Sequence, residues 1–136
     1  MQVIQEGRVR IDGEGDIVAV RKVIRRITTE VGFALTDVTR IVTAASELTR
    51  NIYRYAGSGF VDWVILASHS NKGIELVFTD YGPGIEDLNK AMEPGFTTSN
   101  GMGLGLPGAK RLMDDMDIRS EPGKGTTVSV KKWLKN

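Results

Sequence analysis

Gly101-Met102-Gly103-Leu104-Gly105-Leu106-Pro107-Gly108 leads into a stretch, Leu104 to Asp114, that reads as a helix. Pro107 falls in its first turn, where a missing N–H costs nothing. Successive backbone N–H groups ahead of a helix N-terminus make an anion site suited to phosphates. Gly103-x-Gly105-x-x-Gly108 also matches the dinucleotide fingerprint, but that unit needs a strand directly before the loop. Here Pro94-Gly95-Phe96-Thr97-Thr98-Ser99 precedes it, which reads as loop, and a Walker-type lysine is missing.

Moving toward the N-terminus, Gly73 to Tyr81 is a β-rich run that ends in Asp80-Tyr81-Gly82-Pro83-Gly84, with a short helix expected near 86–93. Phe60 to His69 is a second such run, and Ser70-Asn71-Lys72-Gly73 reads as the hairpin turn between them. Before these, Val38, Ile41, Ala45, Leu48, Ile52 and Tyr55 recur every three or four residues, the stripe of a helix capped by Asp37 and stopped at Gly57-Ser58-Gly59. Ile17, Val20, Ile24, Ile27 and Val31 mark an earlier helix, capped by Asp16, ended by Gly32 and basic on its outer face. Val3 to Ile11 reads as an edge strand. Toward the C-terminus, Met116 to Ser120 and Thr126 to Trp133 close the chain as a hairpin around Glu121-Pro122-Gly123-Lys124-Gly125. This order predicts one domain over 1–136, an α/β two-layer sandwich. Three helices would lie on one face of a mixed, mostly antiparallel sheet.

Composition narrows the function. Among 136 residues, 18 Lys+Arg against 17 Asp+Glu leave a net charge of +1, which argues against a strongly basic nucleic-acid surface. Cysteine is absent, removing thiolate metal sites and Cys nucleophiles. No apolar run approaches a membrane span and the start lacks a secretory signal, so a cytoplasmic location is expected, with neither membrane nor nucleic acid as partner. Of 16 glycines, those at 82, 84, 95, 101, 103, 105 and 108 crowd one region, as expected where backbone approaches a ligand closely.

Three further fragments could carry chemistry. Glu47 and Asn51 are four apart, on one helix face and off the core stripe, although any helix offers such pairs. Asp80 at a strand end, followed by Gly82 and Gly84, could accept a hydrogen bond from an exocyclic amine while a ring lies on the glycines; an Asx turn accounts for it equally well. Gly125-Thr126-Thr127 opens the last strand, as a tight turn would. The metal-binding Asp-Phe-Gly of eukaryotic-type kinases is excluded, because its catalytic loop and lysine strand are missing.

Taken in order, E-x-x-x-N on a helix, D-x-G-x-G after a strand, G-x-G-x-G before a helix and a late G-T resemble the Bergerat-type ATP fold. Within it, SELTRNIYRYAG (46–57), DYGPGIEDLNKAME (80–93) and GFTTSNGMGLGLPGAKRLMDD (95–115) resemble the small anti-sigma-type serine/threonine kinases of the stressosome. Asn100 and Leu104 depart from that pattern, which usually has Gly and Ala there.

The resemblance implies ATP and Mg²⁺ as cofactors. Glu47 would be the general base and Asn51 the Mg²⁺ ligand. Asp80 would hold the adenine amine, with Gly82 and Gly84 beneath the ring. Gly101, Gly103 and Gly105 would wrap the phosphates, and Thr126 would support the base. Arg54, three residues after Asn51, stands where histidine kinases often carry a lysine and would reach the phosphates. Implied substrates are STAS-domain proteins of the RsbS and RsbR type, and the released kinase would activate a PP2C-type phosphatase of the RsbU type. Two other readings stay open: a nucleotide-gated binding module without transfer, and a detached histidine-kinase catalytic domain.

Overall fold

Alternating apolar and polar residues build a five-stranded sheet whose two faces differ in burial. The computed structural model describes residues 1–86, 92 and 105–134. Its strands are β1 (Gln2–Ile11), β2 (Gly59–Ala67), β3 (Lys72–Asp80), β4 (Asp115–Glu121) and β5 (Gly125–Trp133), in the spatial order β1-β2-β3-β5-β4. Val61, Trp63 and Ile65 pair with Phe78, Leu76 and Ile74, and Val128 and Val130 continue the same buried rows. Their alternates Asp62, Val64, Glu75, Val77, Ser129 and Lys131 stay half exposed. On that open face Arg8 donates to Asp62 (2.6 and 3.1 Å) and lies over the Phe60 ring, 3.9 Å from its centroid. The hydrogen bond to Asp62 raises the guanidinium above its ordinary pKa.

Helices α1 (Asp16–Val31), α2 (Leu35–Tyr55) and α3 (Gly105–Leu112) cover the buried face, with α2 between the other two. Ile17, Val20, Ile24 and Ile27 of α1, and Val38, Ile41, Ala45, Leu48 and Ile52 of α2, are buried against the sheet rows, as their spacing predicts. Leu106, Ala109 and Met113 complete this core. Tyr55 does not join the stripe and is 43% exposed. Ile52 already reaches Gly59 at the end of the sheet, so the next turn of α2 runs past it.

All four strand pairings are antiparallel, where a mixed sheet was expected. Two helices between β1 and β2 return the chain reversed. The connection from β3 to β4, which includes α3, returns the chain in the original direction, and β5 then folds back into the gap between those two strands.

Local corrections follow from hydrogen bonds. Asp16 is the first residue of α1 and not its cap; its carboxylate accepts from the N–H groups of Asp12 (2.7 Å) and Gly13 (3.1 Å), bracing the preceding turn. Asp37 likewise lies within the first turn of α2, whose cap position is Ala34, and pairs with Arg40 at 2.9 Å. Gly32 does end α1, at φ 110°. The β2–β3 turn is Ser68 to Asn71, closed by Ser68 N–H to the Asn71 carbonyl at 2.8 Å, so His69 sits in the turn rather than at a strand end. Gly73 belongs to β3, where a Cβ would stand 2.4 Å from the Trp133 ring. The short helix expected near 86–93 falls largely outside the described residues, as do Thr97, Thr98 and Ser99.

Candidate functional site

The C-terminal half of α2 runs over the end of the sheet, and the candidate residues gather around it. Glu47 and Asn51 stand one turn apart, both half-buried. Gly105 is the first residue of α3, and a Cβ built on it would lie 3.8 Å from the Asn51 side-chain nitrogen. Asn51 thus lies at the start of α3, and Glu47 stands one turn before it on α2. Gly101 and Gly103 lie outside the described residues, so Gly105 alone represents the glycine loop here. Asn51 makes no side-chain hydrogen bond among the described residues, which leaves its amide oxygen open to a ligand.

Asp80 ends β3 in register with Gly59 on one side and Thr126 on the other. Its Oδ1 accepts from the Gly82 N–H at 2.9 Å, so the Asx turn is real. It occupies one oxygen only, and Oδ2 has no partner among the described residues. Gly82 packs against the end of α2, with a built Cβ 2.6 Å from Ala56 Cβ. Gly84, at φ 77°, presses on the turn between β4 and β5, where a Cβ would fall 2.2 Å from the Glu121 carbonyl oxygen. Both glycines are therefore required by the protein's own packing, whatever lies above them.

Two hydrogen bonds clamp this loop to the last hairpin: Gly123 N–H to the Pro83 carbonyl (2.7 Å) and Ile85 N–H to Ser120 Oγ (2.7 Å). Ser120 also bonds the Gly125 carbonyl (3.1 Å) and the Thr126 hydroxyl (2.9 Å). A hydroxyl has one proton and two lone pairs, so Ser120 accepts from Ile85 and Thr126 while donating to Gly125. Thr126 is thereby joined, through Ser120, to the loop that follows Asp80. Arg54 sits in the last turn of α2, engaged in an interaction of its own.

Two residues escaped the reading by motif. Ser120 falls in line with the inward-facing Met116 and Ile118 of β4, and a polar residue at an inward strand position is a signal that could have found it. Arg50 donates to Glu47 Oε1 at 2.5 Å, and its spacing of three from Glu47 was legible in the sequence. Among the described residues no cluster of three or more metal-binding acidic or histidine side chains exists. A groove of about 260 Å³ lined by Glu75, Asp115, Met116, Asp117, Ser129 and Lys131 contains none of the candidate residues. No helix among the described residues is long and apolar enough to cross a membrane.

Known proteins resemble this chain in sequence and fold. The family described as the histidine kinase-like ATPase domain matches residues 13–132. A protein of Bacillus subtilis (strain 168) named serine/threonine-protein kinase RsbT is 50% identical over 127 residues, spanning 93% of this chain and 96% of that protein. An anti-sigma F factor of Thermoanaerobacter sp. (strain X514) is 31% identical over 118 residues, 84% of this chain and 82% of its own length. Among solved structures, the RsbU and RsbW domains of a Mycobacterium tuberculosis protein superpose with a TM-score of 0.61 at 20% identity, covering 94% of this chain and 31% of that one.

Proposed function

This chain belongs to the histidine kinase-like ATPase domain family, and on that premise we propose that it is a serine/threonine-protein kinase acting as a partner switch. The observation that carries the reading is the meeting of Asn51 with the start of α3, and it is supported by an Asp80 whose second oxygen is open among the described residues. Asp80 accepts from the exocyclic amine of adenine; guanine would present an O6 acceptor there and be repelled, which selects ATP over GTP. Gly82 and Gly84 shape the floor beneath the ring. Gly101, Gly103 and Gly105 surround the phosphates with backbone N–H groups ahead of α3.

Mg²⁺ fits the donor set: it keeps several waters and phosphate oxygens, so the free amide oxygen of Asn51 suffices as its protein ligand. When bound, it neutralises phosphate charge. Glu47 takes the proton of the substrate hydroxyl as that oxygen bonds to the γ-phosphorus and the bond to the bridging oxygen of ADP breaks. Arg54 supplies positive charge to the phosphates, and Thr126 holds the Asp80 segment and supports the base. The loose transition state makes positioning and charge neutralisation the main contributions, with proton removal secondary.

As a whole the chain acts as a single domain in the cytoplasm. Its substrates are STAS-domain proteins of the RsbS and RsbR type, and its release from them lets it activate a PP2C-type phosphatase of the RsbU type. The 50% identity to a protein named RsbT supports this choice of partners. Incubating the purified chain with γ-labelled ATP, Mg²⁺ and a STAS protein tests the reading. Acid-stable label on serine or threonine of the partner is the expected result. Acid-labile label would point instead to histidine chemistry, and tight binding without any transfer would leave only a nucleotide-gated capture module.

A further inference from the structure

We propose that Arg50 is a positioning residue for the reaction: it holds the Glu47 carboxylate in one orientation and leaves its second oxygen free to receive the substrate proton. The inference rests on reading Glu47 as the base. A glutamate on a helix surface has three rotatable side-chain bonds, and an unrestrained one spends most of its time pointing elsewhere. Here Arg50 Nη1 reaches Glu47 Oε1 at 2.5 Å, the shortest ion pair among the described residues. Arg50 is also the most covered of the paired arginines, at 35% side-chain exposure against 49% for Arg40, and Glu47 is at 17%. A charge-assisted hydrogen bond in such cover is stronger than the same pair in open water.

The bond engages one carboxylate oxygen only, and Oε2 makes none among the described residues. Asn51, on the next turn, faces the start of α3, so Glu47 fixed on this helix is fixed relative to the metal ligand too. Arg50 itself stands off that face and touches no candidate nucleotide residue among the interactions described. Its effect should therefore pass through Glu47 to turnover and leave nucleotide binding alone.

Four forms of the chain test this: wild type, Arg50→Ala, Glu47→Ala and the double variant, each assayed for transfer from labelled ATP to a STAS protein and for ATP affinity. Neither Arg50 nor Glu47 belongs to the buried stripe of α2, so Arg50→Ala should fold normally, which its urea midpoint checks. Losing the orientation of the base should lower kcat about tenfold with KM for ATP within about twofold. In the Glu47→Ala background, Arg50→Ala should cost nothing more, because the group it positions is gone. Arg50→Lys, which keeps the cation but not the fork, should recover part of the rate. Wild-type turnover in Arg50→Ala, an equal fold loss in the Glu47→Ala background, or a parallel fall in ATP affinity would each overturn the assignment. Full turnover in Glu47→Ala would instead remove the base reading on which it rests.

Discussion

At the scale of single residues, the two carboxylates of the candidate site, Glu47 and Asp80, each have one oxygen engaged and one left over among the described residues. Asp80 uses Oδ1 on Gly82 and keeps Oδ2. Replacing that oxygen with an NH₂ group sets two donors against the adenine amine. Asp80→Asn should therefore weaken ATP binding at least tenfold, a loss on the scale of a charged hydrogen bond at about 1.5–3 kcal/mol. Titration calorimetry checks this, and an unchanged affinity would refute the role. The opposite case is Thr49, whose hydroxyl is fully buried with no partner among the described residues. Such a group carries its desolvation cost with no return, so Thr49→Val should stabilise the fold by about 1 kcal/mol, read as a higher urea midpoint at unchanged slope. By itself the fragment Asp80-x-Gly82-x-Gly84 read equally well as an Asx turn, and its role came from the family that the four fragments in order resemble. Composition and spacing could not point to the state of Thr49, since pairing of a hydroxyl is decided by neighbours remote in sequence.

At the scale of elements, helix and strand positions were legible, as was the end of α1 at Gly32, but the caps at the helix starts were not. Periodicity alone placed the buried stripes of α1 and α2, because burial against a sheet demands residues every three or four positions. The capping roles assigned to Asp16 and Asp37 failed because an acidic residue near a helix start can equally serve the preceding turn or a neighbouring cation. Gly73 looked like a turn residue and is instead the gap that admits Trp133, a contact across two strands that local sequence does not encode. Lys132 is a larger instance. It is buried on β5, donates to the Leu112 carbonyl at the end of α3 (2.9 Å), and lies near Asp114 (3.4 Å) and Asp37 (4.0 Å). One cation thus joins the ends of α2 and α3 to the sheet. Lys132→Met keeps the stem but leaves a carbonyl and a carboxylate short of a donor, and should destabilise by about 2–3 kcal/mol. Chemical denaturation measures it; a neutral result would mean that water replaces the ammonium.

At the scale of the whole molecule, the order of the fragments along the chain carried the functional reading, and the sheet topology explains how they meet. β3 and β5 are neighbours, which sets Asp80 beside Thr126 although 46 positions separate their numbers. Between β3 and β4, α3 brings its N-terminus to Asn51. Spacing could give neither neighbour relation, because strand order is decided by which crossovers pack. Legible in advance were the helices on one face and the residues of each fragment; the fully antiparallel sheet and the Ser120 clamp emerged only from the fold.

A ligand that binds only the folded chain raises its stability, by about 2.7 kcal/mol at a concentration one hundred times its Kd. ATP with Mg²⁺ should accordingly raise the melting temperature of the wild type and do so far less in Asp80→Asn. More direct still is a crystal structure of the chain with a non-hydrolysable ATP analogue and Mg²⁺. The adenine amine should rest on Asp80, the metal on Asn51 and the phosphates at the entrance to α3; a nucleotide bound at any other surface would contradict the account at its root.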